Sequence, residues 1–372
     1  MKKSVALIFL GDFFFDARCI NMADTIIDAG MDLSIIDAGK SNNQYRENKI
    51  HHISLPKSGL YKYIKFHQET KKILTKMNVK KIIAGDLFSL PAATSFKDAY
   101  IIYDSREIYT QLAGLVNKPL SQAFWSWIEK KYINKTQSVL VTAKGDGIIL
   151  NKLYRDINIF HIYNFPSRKL KPKGKVSLRK KLNLPDESKI FLYQGVLHIG
   201  RGIKSMIQLL EDFPSAHAVI IGNGPYREEL ENYSQKMNVK NRTHFLGKIP
   251  YIKMLELTVG ADIGFSLIRP ISKSYEQALP NKIFEYALAN VPVIASNLLE
   301  METIIKKFNL GLTVPHNDKG KHKWAVNKLL YKTNGTTIQK TAEKNFVWEE
   351  QKDEFLMCLS IQSKAKIFIH EN

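Results

Sequence analysis

Cysteine is nearly absent: Cys19 and Cys358 are the only two in 372 residues. Two thiols so far apart build neither a disulfide framework nor a zinc site, and a reducing cytoplasm is the simplest home for them. Long apolar runs are lacking as well; none approaches the ~20 residues of a membrane-spanning helix. The opening Met1-Lys2-Lys3, followed by apolar residues 5–10, mimics a secretory leader. Asp12 and Asp16 arrive early, however, and no small-residue cleavage site follows, so a buried first strand is the better reading. Acidic residues are scarce: 35 Asp+Glu against 55 Lys+Arg leave a net charge of +20, and none lies between Ile157 and Pro185. No zinc-finger spacing and no aromatic–glycine RNA-binding signature accompanies that surplus. The partners it points to are an anionic membrane face or phosphorylated small molecules, beside the plain reading of solubility.

The chain has ample material for packed cores: 44% of residues are hydrophobic, with 19 Phe and 16 Tyr. That composition excludes a disordered or collagen-like chain. At roughly 100–200 residues per domain, the length predicts two domains.

The first half reads as alternating strands and helices. Strands are expected over 5–10, 33–37, 81–84, 100–103, 138–142 and 159–163. Helices are expected over 23–29 (ending at Gly30), 61–77 and 120–133. A basic, proline-broken stretch follows, with Arg168, Lys169, Lys171, Lys173, Lys175, Arg179, Lys180 and Lys181, and with Pro166 and Pro172. It reads as a domain linker. A second series then has strands over 190–193, 218–221, 243–246, 263–266, 293–295 and 312–314. Its helices fall over 203–210, 226–237, 281–289 and 301–308, and a mainly helical tail runs from 324. Strands alternating with helices imply an α/β protein, parallel sheets covered on both faces.

Three constellations could carry chemistry. In the first, a strand ends at Tyr193-Gln194 and turns through Gly195-Val196-Leu197-His198-Ile199-Gly200-Arg201-Gly202 into a helix. Glycines let backbone approach a ligand, a helix start offers free N–H groups, and Arg201 adds a planar cation suited to phosphate oxygens. This is a diphosphate cradle or an ordinary turn with a surface arginine. The second is Gly222-Asn223-Gly224-Pro225 at a strand's C-terminal end, where open parallel sheets bind ligands; a tight turn alone would need the same residues. The third is Leu279-Pro280-Asn281-Lys282-Ile283-Phe284-Glu285-Tyr286-Ala287, followed by Pro292-Val293-Ile294-Ala295-Ser296. Asn281 and Glu285 lie one helical turn apart on one face. A carboxylate there can accept from both vicinal hydroxyls of a ribose. Lys282 near a helix start is electrostatically unfavourable unless an anion is present. The bland alternative is a surface helix.

In this order and spacing, these pieces resemble the nucleotide-sugar half of a GT-B glycosyltransferase, specifically the retaining group 1 enzymes of glycosyltransferase family 4. Tyr103-Asp104-Ser105-Arg106-Glu107, Tyr163-Asn164-Phe165-Pro166 and Phe346-Val347-Trp348-Glu349 extend the resemblance over nearly the whole chain. It implies two Rossmann-like, doubly wound domains facing across a cleft. Residues 1–166 would bind the acceptor and 167–345 the nucleotide-sugar, and 346–372 would be a helical segment crossing back to the first domain. Gly195, His198, Gly200, Gly202, Lys204, Gly222, Gly224, Asn281 and Lys282 would surround the donor, with Arg201 on the diphosphate and Glu285 on the ribose as the catalytic pair. Gly11, Asp12, Arg18, Arg106 and Glu107 would lie on the acceptor side.

Three positions depart from the family pattern. Gln277 stands where a paired glutamate is usual, with Glu276 one residue off. Val196 replaces an arginine. Arg106 replaces a histidine.

The reaction the resemblance implies is transfer of a sugar from a nucleotide-diphosphate sugar to a glycan or lipid-linked glycan, in cell-surface polysaccharide synthesis. No metal and no cofactor is expected, since no Asp-x-Asp motif is present and cationic side chains can take the metal's place. Lys57, Lys62, Lys65, Lys71, Lys72, Lys76, Lys80 and Lys81, with Tyr61, Tyr63, Phe66, Phe124, Trp125 and Trp127, suit docking on an anionic membrane or a solvated face over core aromatics. A cytoplasmic protein, peripheral on the inner face of the membrane, is the corresponding expectation. The alternatives are a non-catalytic GT-B partner subunit, favoured by Gln277 and Val196, and a nucleotide-sugar epimerase, for which His198 is the one histidine in place.

Overall fold

The computed structural model describes residues 4–40, 42–115, 117–154, 156–170, 178–331 and 337–360. Lys171, Pro172, Lys173 and Lys175 of the expected linker lie outside the described residues, as do Met1-Lys2-Lys3 and positions 361–372. The chain forms two compact units. One takes in the residues up to Asn164 and those from Gln351 onward; the other is Phe165–Glu350.

The first unit carries eight strands: β1 Ser4–Ile8, β2 Asp32–Asp37, β3 Gln44–Tyr45, β4 Asn48–His52, β5 Lys81–Ala84, β6 Tyr100–Ser105, β7 Ser138–Val141 and β8 Ile159–His161. They form one sheet in the order β3-β4-β2-β1-β5-β6-β7-β8. Every pairing is parallel except β3 with β4. The central strands β1, β5, β6 and β7 are buried on both faces because helices cover both sides, and Ala6, Ile8, Ile82, Tyr103 and Val139 lie in one core with Phe66 and Leu74 of the helix Leu60–Thr75. The helix Lys352–Ser360 belongs to this unit. Gln351 donates to the Tyr163 carbonyl at 2.6 Å and accepts from the Tyr163 amide at 2.8 Å.

The second unit carries β9 Lys189–Gln194, β10 Ala216–Ile221, β11 Thr243–Gly247, β12 Ile263–Ser266, β13 Val293–Ser296 and β14 Gly311–Val314. They form one parallel sheet in the order β11-β10-β9-β12-β13-β14. Both sheets are doubly wound. The order reverses between β1 and β5 in one and between β9 and β12 in the other, and at such a switch point the diverging loops leave a crevice beyond the strands' carboxyl ends.

Some elements differ from expectation. The helix expected over 203–210 is α-helical over Ile203–Gln208 and tightens to a 3-10 turn over Leu209–Glu211. Arg179, read as part of a linker, belongs to the second unit's packing: it pairs with Asp262 at 2.6 Å and donates to the Ser188 and Gly260 carbonyls. Lys81, grouped with the surface lysines, is a buried residue of β5 stacked on the Tyr100 ring at 4.8 Å. Phe66 is wholly buried in the core. Among the described residues, no helix is long and apolar enough to cross a membrane.

Candidate functional site

In the second unit the switch point is occupied by the turn that leaves β9. Gly195 (φ 128°) donates its amide to the Ile221 carbonyl, the Leu197 amide donates to Asn223, and the Tyr226 amide donates to the Leu197 carbonyl. Two loops are thus laced together by backbone. A Cβ on Gly222 would sit 1.9 Å from the Gly195 carbonyl oxygen, and one on Gly224 would sit 2.2 Å from that of Leu197. Close approach of the two chains is what demands glycine at both positions. The Tyr193 hydroxyl donates to the Val196 carbonyl at 2.8 Å and fixes the turn from beneath.

The helix Lys282–Leu288 brings its first turn to the same place. Pro280 and Asn281 start it, with the Asn281 carbonyl accepting from the Phe284 and Glu285 amides. Tyr286 anchors its far side, its hydroxyl donating to the Leu192 carbonyl at 3.1 Å while its ring fills the space that Gly264 leaves empty. Lys282 (7% exposed) projects its Nζ over the Tyr193 ring, 3.6 Å from the centroid, and 3.5 Å from where a Gly195 Cβ would be. Glu285 (4% exposed) accepts from Gln194 Nε2 through Oε2, and the Gln194 side-chain oxygen in turn accepts from the Thr258 hydroxyl at 2.9 Å. Arg201 stacks over the Tyr275 ring, 4.4 Å from Cζ to the centroid.

These charges act on one another. Burial, then the Arg201 guanidinium, pull the Lys282 ammonium well below its usual range, against the pull of Glu285. Burial raises the Glu285 carboxyl, while hydrogen bonds from Gln194 and Tyr251 and the charge of Lys282 oppose it. Arg201, Lys282 and Glu285 therefore gather at the carboxyl end of β9. A buried ammonium beside a second cation is costly, and further negative charge placed next to them lowers that cost.

Other residues singled out in the sequence have different places. His198 is half-buried, with Nδ1 3.2 Å from the Ile199 carbonyl oxygen. Gly200 is packed under Ile271 and Tyr275, and Gly202 (φ 71°) under the Leu267 backbone. Lys204 is drawn away to Glu229 at 2.6 Å and lies over the Tyr226 and Tyr233 rings. Glu276 pairs with Lys273 at 2.7 Å, and the Gln277 amide caps that same short turn. Thr258 was not singled out, and Tyr193 and Gln194 entered only as the strand end before the glycine turn. The available signal was Gln194 itself, a polar side chain closing an apolar strand directly before a glycine.

In the first unit, the loop after β1 is held by buried carboxylates. Leu10 donates its amide to Asp86 and Phe13 its amide to Asp37, the Gly11 carbonyl accepts from the Ala38 amide, and Asp12 caps its own turn through the Phe14 amide. Arg18 is buried and pairs with Asp104 at 2.7 Å, while also donating to the Ile162 carbonyl at 2.6 Å. Arg106 donates to Asp104 at 2.8 Å, to Asp16 and to Cys19 Sγ. Burial acts to raise the Asp16 carboxyl, but Arg106 and the Cys19 amide outweigh it and hold it below the usual range. Both arginines are thus internal clamps that hold the loop to β6. Glu107 follows, half-buried, its carbonyl accepting from the Ser105 hydroxyl.

Residues 175–345 match the family model described as glycosyl transferases group 1. Over 142 residues the chain is 26% identical to TuaC of Bacillus subtilis, a protein named as a teichuronic acid biosynthesis glycosyltransferase, a match covering 38% of this chain and 33% of that one. The curated relatives it matches are spanned only in part, 39% and 33% of their lengths. Among solved structures, sucrose-phosphate synthase from Thermosynechococcus elongatus superposes with a TM-score of 0.79 at 17% identity, over 96% of this chain and 98% of that one. Anabaena HepE in complex with UDP and glucose gives 0.75 at 13% identity, over 96% and 99%. The fold is GT-B.

Proposed function

We propose that this chain is a retaining, metal-independent glycosyltransferase of the family 4 kind. It would move a sugar from a nucleotide-diphosphate sugar to a glycan or lipid-linked glycan during cell-surface polysaccharide synthesis. The observation that carries the reading is Lys282: a buried ammonium at the Gly195 turn, flanked by the charges of Arg201 and Glu285. A donor diphosphate would add negative charge beside these two cations. Glu285, held by Gln194, offers its carboxylate to the ribose hydroxyls.

In the reaction, the bond between the anomeric carbon and the phosphate oxygen breaks while the acceptor oxygen bonds to the same face of the sugar. The acceptor proton passes to the departing phosphate oxygen. Arg201 and Lys282 stabilise the charge that grows on the diphosphate, which is the electrostatic part of catalysis. The complexes of Anabaena HepE with UDP and with UDP-glucose make these the first ligands to test. Purified protein is incubated with a panel of nucleotide-sugars and lipid-linked glycans. Arg201→Ala is expected to lower turnover by about 10²-fold or more with the melting temperature unchanged; near-normal turnover removes the assignment.

A peripheral position on an anionic membrane, at the inner face, accompanies this reading. Tyr63 of the helix Leu60–Thr75 packs on Trp125 of the helix Pro119–Ile133 at 4.9 Å. Around that contact Leu60, Tyr61, Ile64, Phe124 and Trp127 are exposed, and Leu120 is 87% exposed. Lysines flank the apolar residues, the arrangement that suits an anionic interface. Leu120→Glu with Trp127→Glu is expected to abolish co-sedimentation with anionic vesicles. Binding that persists in this double variant would move the contact elsewhere.

A second reading, a non-catalytic partner subunit, is favoured by one observation: neither Glu276 nor Gln277 joins the Glu285 network. Sugar transfer by the purified chain alone excludes it.

A further inference from the structure

The first unit holds a pocket that none of these roles uses. It has a volume of about 420 Å³ and lies beyond the carboxyl ends of β2 and β4, which pair in register at Asp37 and His52. Lys40, Lys57 and Lys62 line it with His52, while Ala38, Ile53, Leu55 and Pro56 supply apolar wall. None of the lining residues is acidic. Two carboxylates stand against Gly39 in the pocket wall: Asp37 is fully buried and engaged by the Phe13 amide, the Gly39 amide and His52 Nδ1, and Asp12 accepts from the Phe14 amide. Both His52 ring nitrogens face oxygen acceptors, Asp37 on one side and the Asn42 carbonyl on the other, so the ring is fixed edge-on as part of the wall.

We infer that this pocket binds the phosphoryl group of the acceptor, a phosphomonoester or diphosphate, with the apolar wall taking the carbon atoms next to it. Three lysines and a histidine line one concavity, and the carboxylates behind Gly39 are engaged by backbone amides and His52. A multiply charged anion complements that lining, since lysine serves phosphate as a point charge. The volume lies within the range of small-molecule sites. Lys62 stands on the first turn of the helix whose Leu60, Tyr61 and Ile64 are exposed, so an apolar tail on the same ligand has a surface to follow. The inference rests on the transferase reading for the word acceptor; the anion site itself is tested separately.

The full-length chain is treated with a lysine-acylating reagent and each lysine followed by mass spectrometry, with and without glycerol 3-phosphate at matched ionic strength. Several-fold slower acylation of Lys40, Lys57 and Lys62, with Lys328 unchanged, is the expected result. No protection, or equal protection at Lys328, overturns the proposal. Vesicles of phosphatidic acid in phosphatidylcholine identify the source. Protection of the three lysines by vesicles as well as by the soluble ester assigns a lipid phosphate, and protection by the ester alone assigns a soluble one.

The variant Lys40→Gln/Lys57→Gln/Lys62→Gln is expected to lose the thermal stabilisation given by glycerol 3-phosphate and to keep that given by UDP. Retained stabilisation by glycerol 3-phosphate overturns the site. A wild-type protein that ignores every nucleotide while its lysines are still protected would remove the transferase reading and leave the anion pocket standing.

Discussion

Lys282 Nζ stands 3.6 Å from the centre of the Tyr193 ring, a buried cation over an aromatic face at the end of a central strand. Its ammonium is held well below the usual range by burial and by Arg201. An arriving diphosphate raises it again, so donor binding takes up a proton and affinity falls as pH rises through the free-state value. Calorimetric titration with UDP in buffers of different ionisation enthalpy should read that uptake, and Lys282→Met should abolish it. The same shift sets the sign of a stability effect. Between the depressed folded value and ~10.5 the unfolded chain holds more protons, so ligand-free stability rises with pH across that window. Lys282→Met should flatten the rise and melt higher near neutral pH, while losing about 10²–10³ in kcat.

Glu285 separates a binding role from a folding one. Glu285→Gln keeps the side chain's volume and one oxygen for Gln194, and removes the negative charge. The KM for donor should rise with little change in melting temperature. Glu285→Ala also leaves the buried Gln194 amide without its acceptor and should cost about 1–3 kcal/mol of stability, read by urea unfolding. Equal stability of the two variants would contradict the hydrogen-bond chain through Thr258.

Gly222→Ala tests the lacing of the two loops. The added Cβ would meet the Gly195 carbonyl oxygen at 1.9 Å, and φ is 138°, outside the ordinary range of an L side chain. A loss of about 1–3 kcal/mol or more is expected, together with weaker UDP binding, because the turn under Lys282 must shift. Gly30→Ala, also at positive φ but with open space around the Cβ, is the control and should leave UDP binding intact.

Asp104 holds two arginines in the first unit, so Arg18→Met should cost about 3–5 kcal/mol by leaving a buried carboxylate half-compensated. Arg18→Met/Asp104→Leu should cost less than the two single changes added together. An additive result in a thermal or urea series would mean that the pair does not couple.

The sheets were legible where apolar runs are short and bounded. The strand read over 81–84 is β5 to the residue, and 138–142 and 243–246 differ from β7 and β11 by one residue at the end. β4 was not legible: Asn48-Lys49-Ile50-His51-His52 has a single apolar residue, and it is a strand because β2 offers it a parallel edge. The helix Tyr251–Thr258, which carries Thr258 toward Gln194, likewise has no start signal beyond Pro250. In the site, Arg201, Lys282 and Glu285 could be singled out because their positions relative to glycine turns and a helix start are local properties. The partners that hold them are set by β9 and its neighbours across the sheet, and no sequence period encodes such pairings. Arg18 and Lys204 show the converse. Their sequence context fits a ligand, and only the fold brings Asp104 and Glu229 within reach.

The first unit is discontinuous: the helix Lys352–Ser360 is translated after the entire second unit, yet belongs with β8 and the helix Ala17–Asp28. Ribosomal synthesis therefore completes the later unit first, and the earlier one waits for the helix that follows it. A stop codon just past position 350 would spare the later unit and cripple the earlier one. A gene fragment for 165–350 is the natural candidate for separate expression.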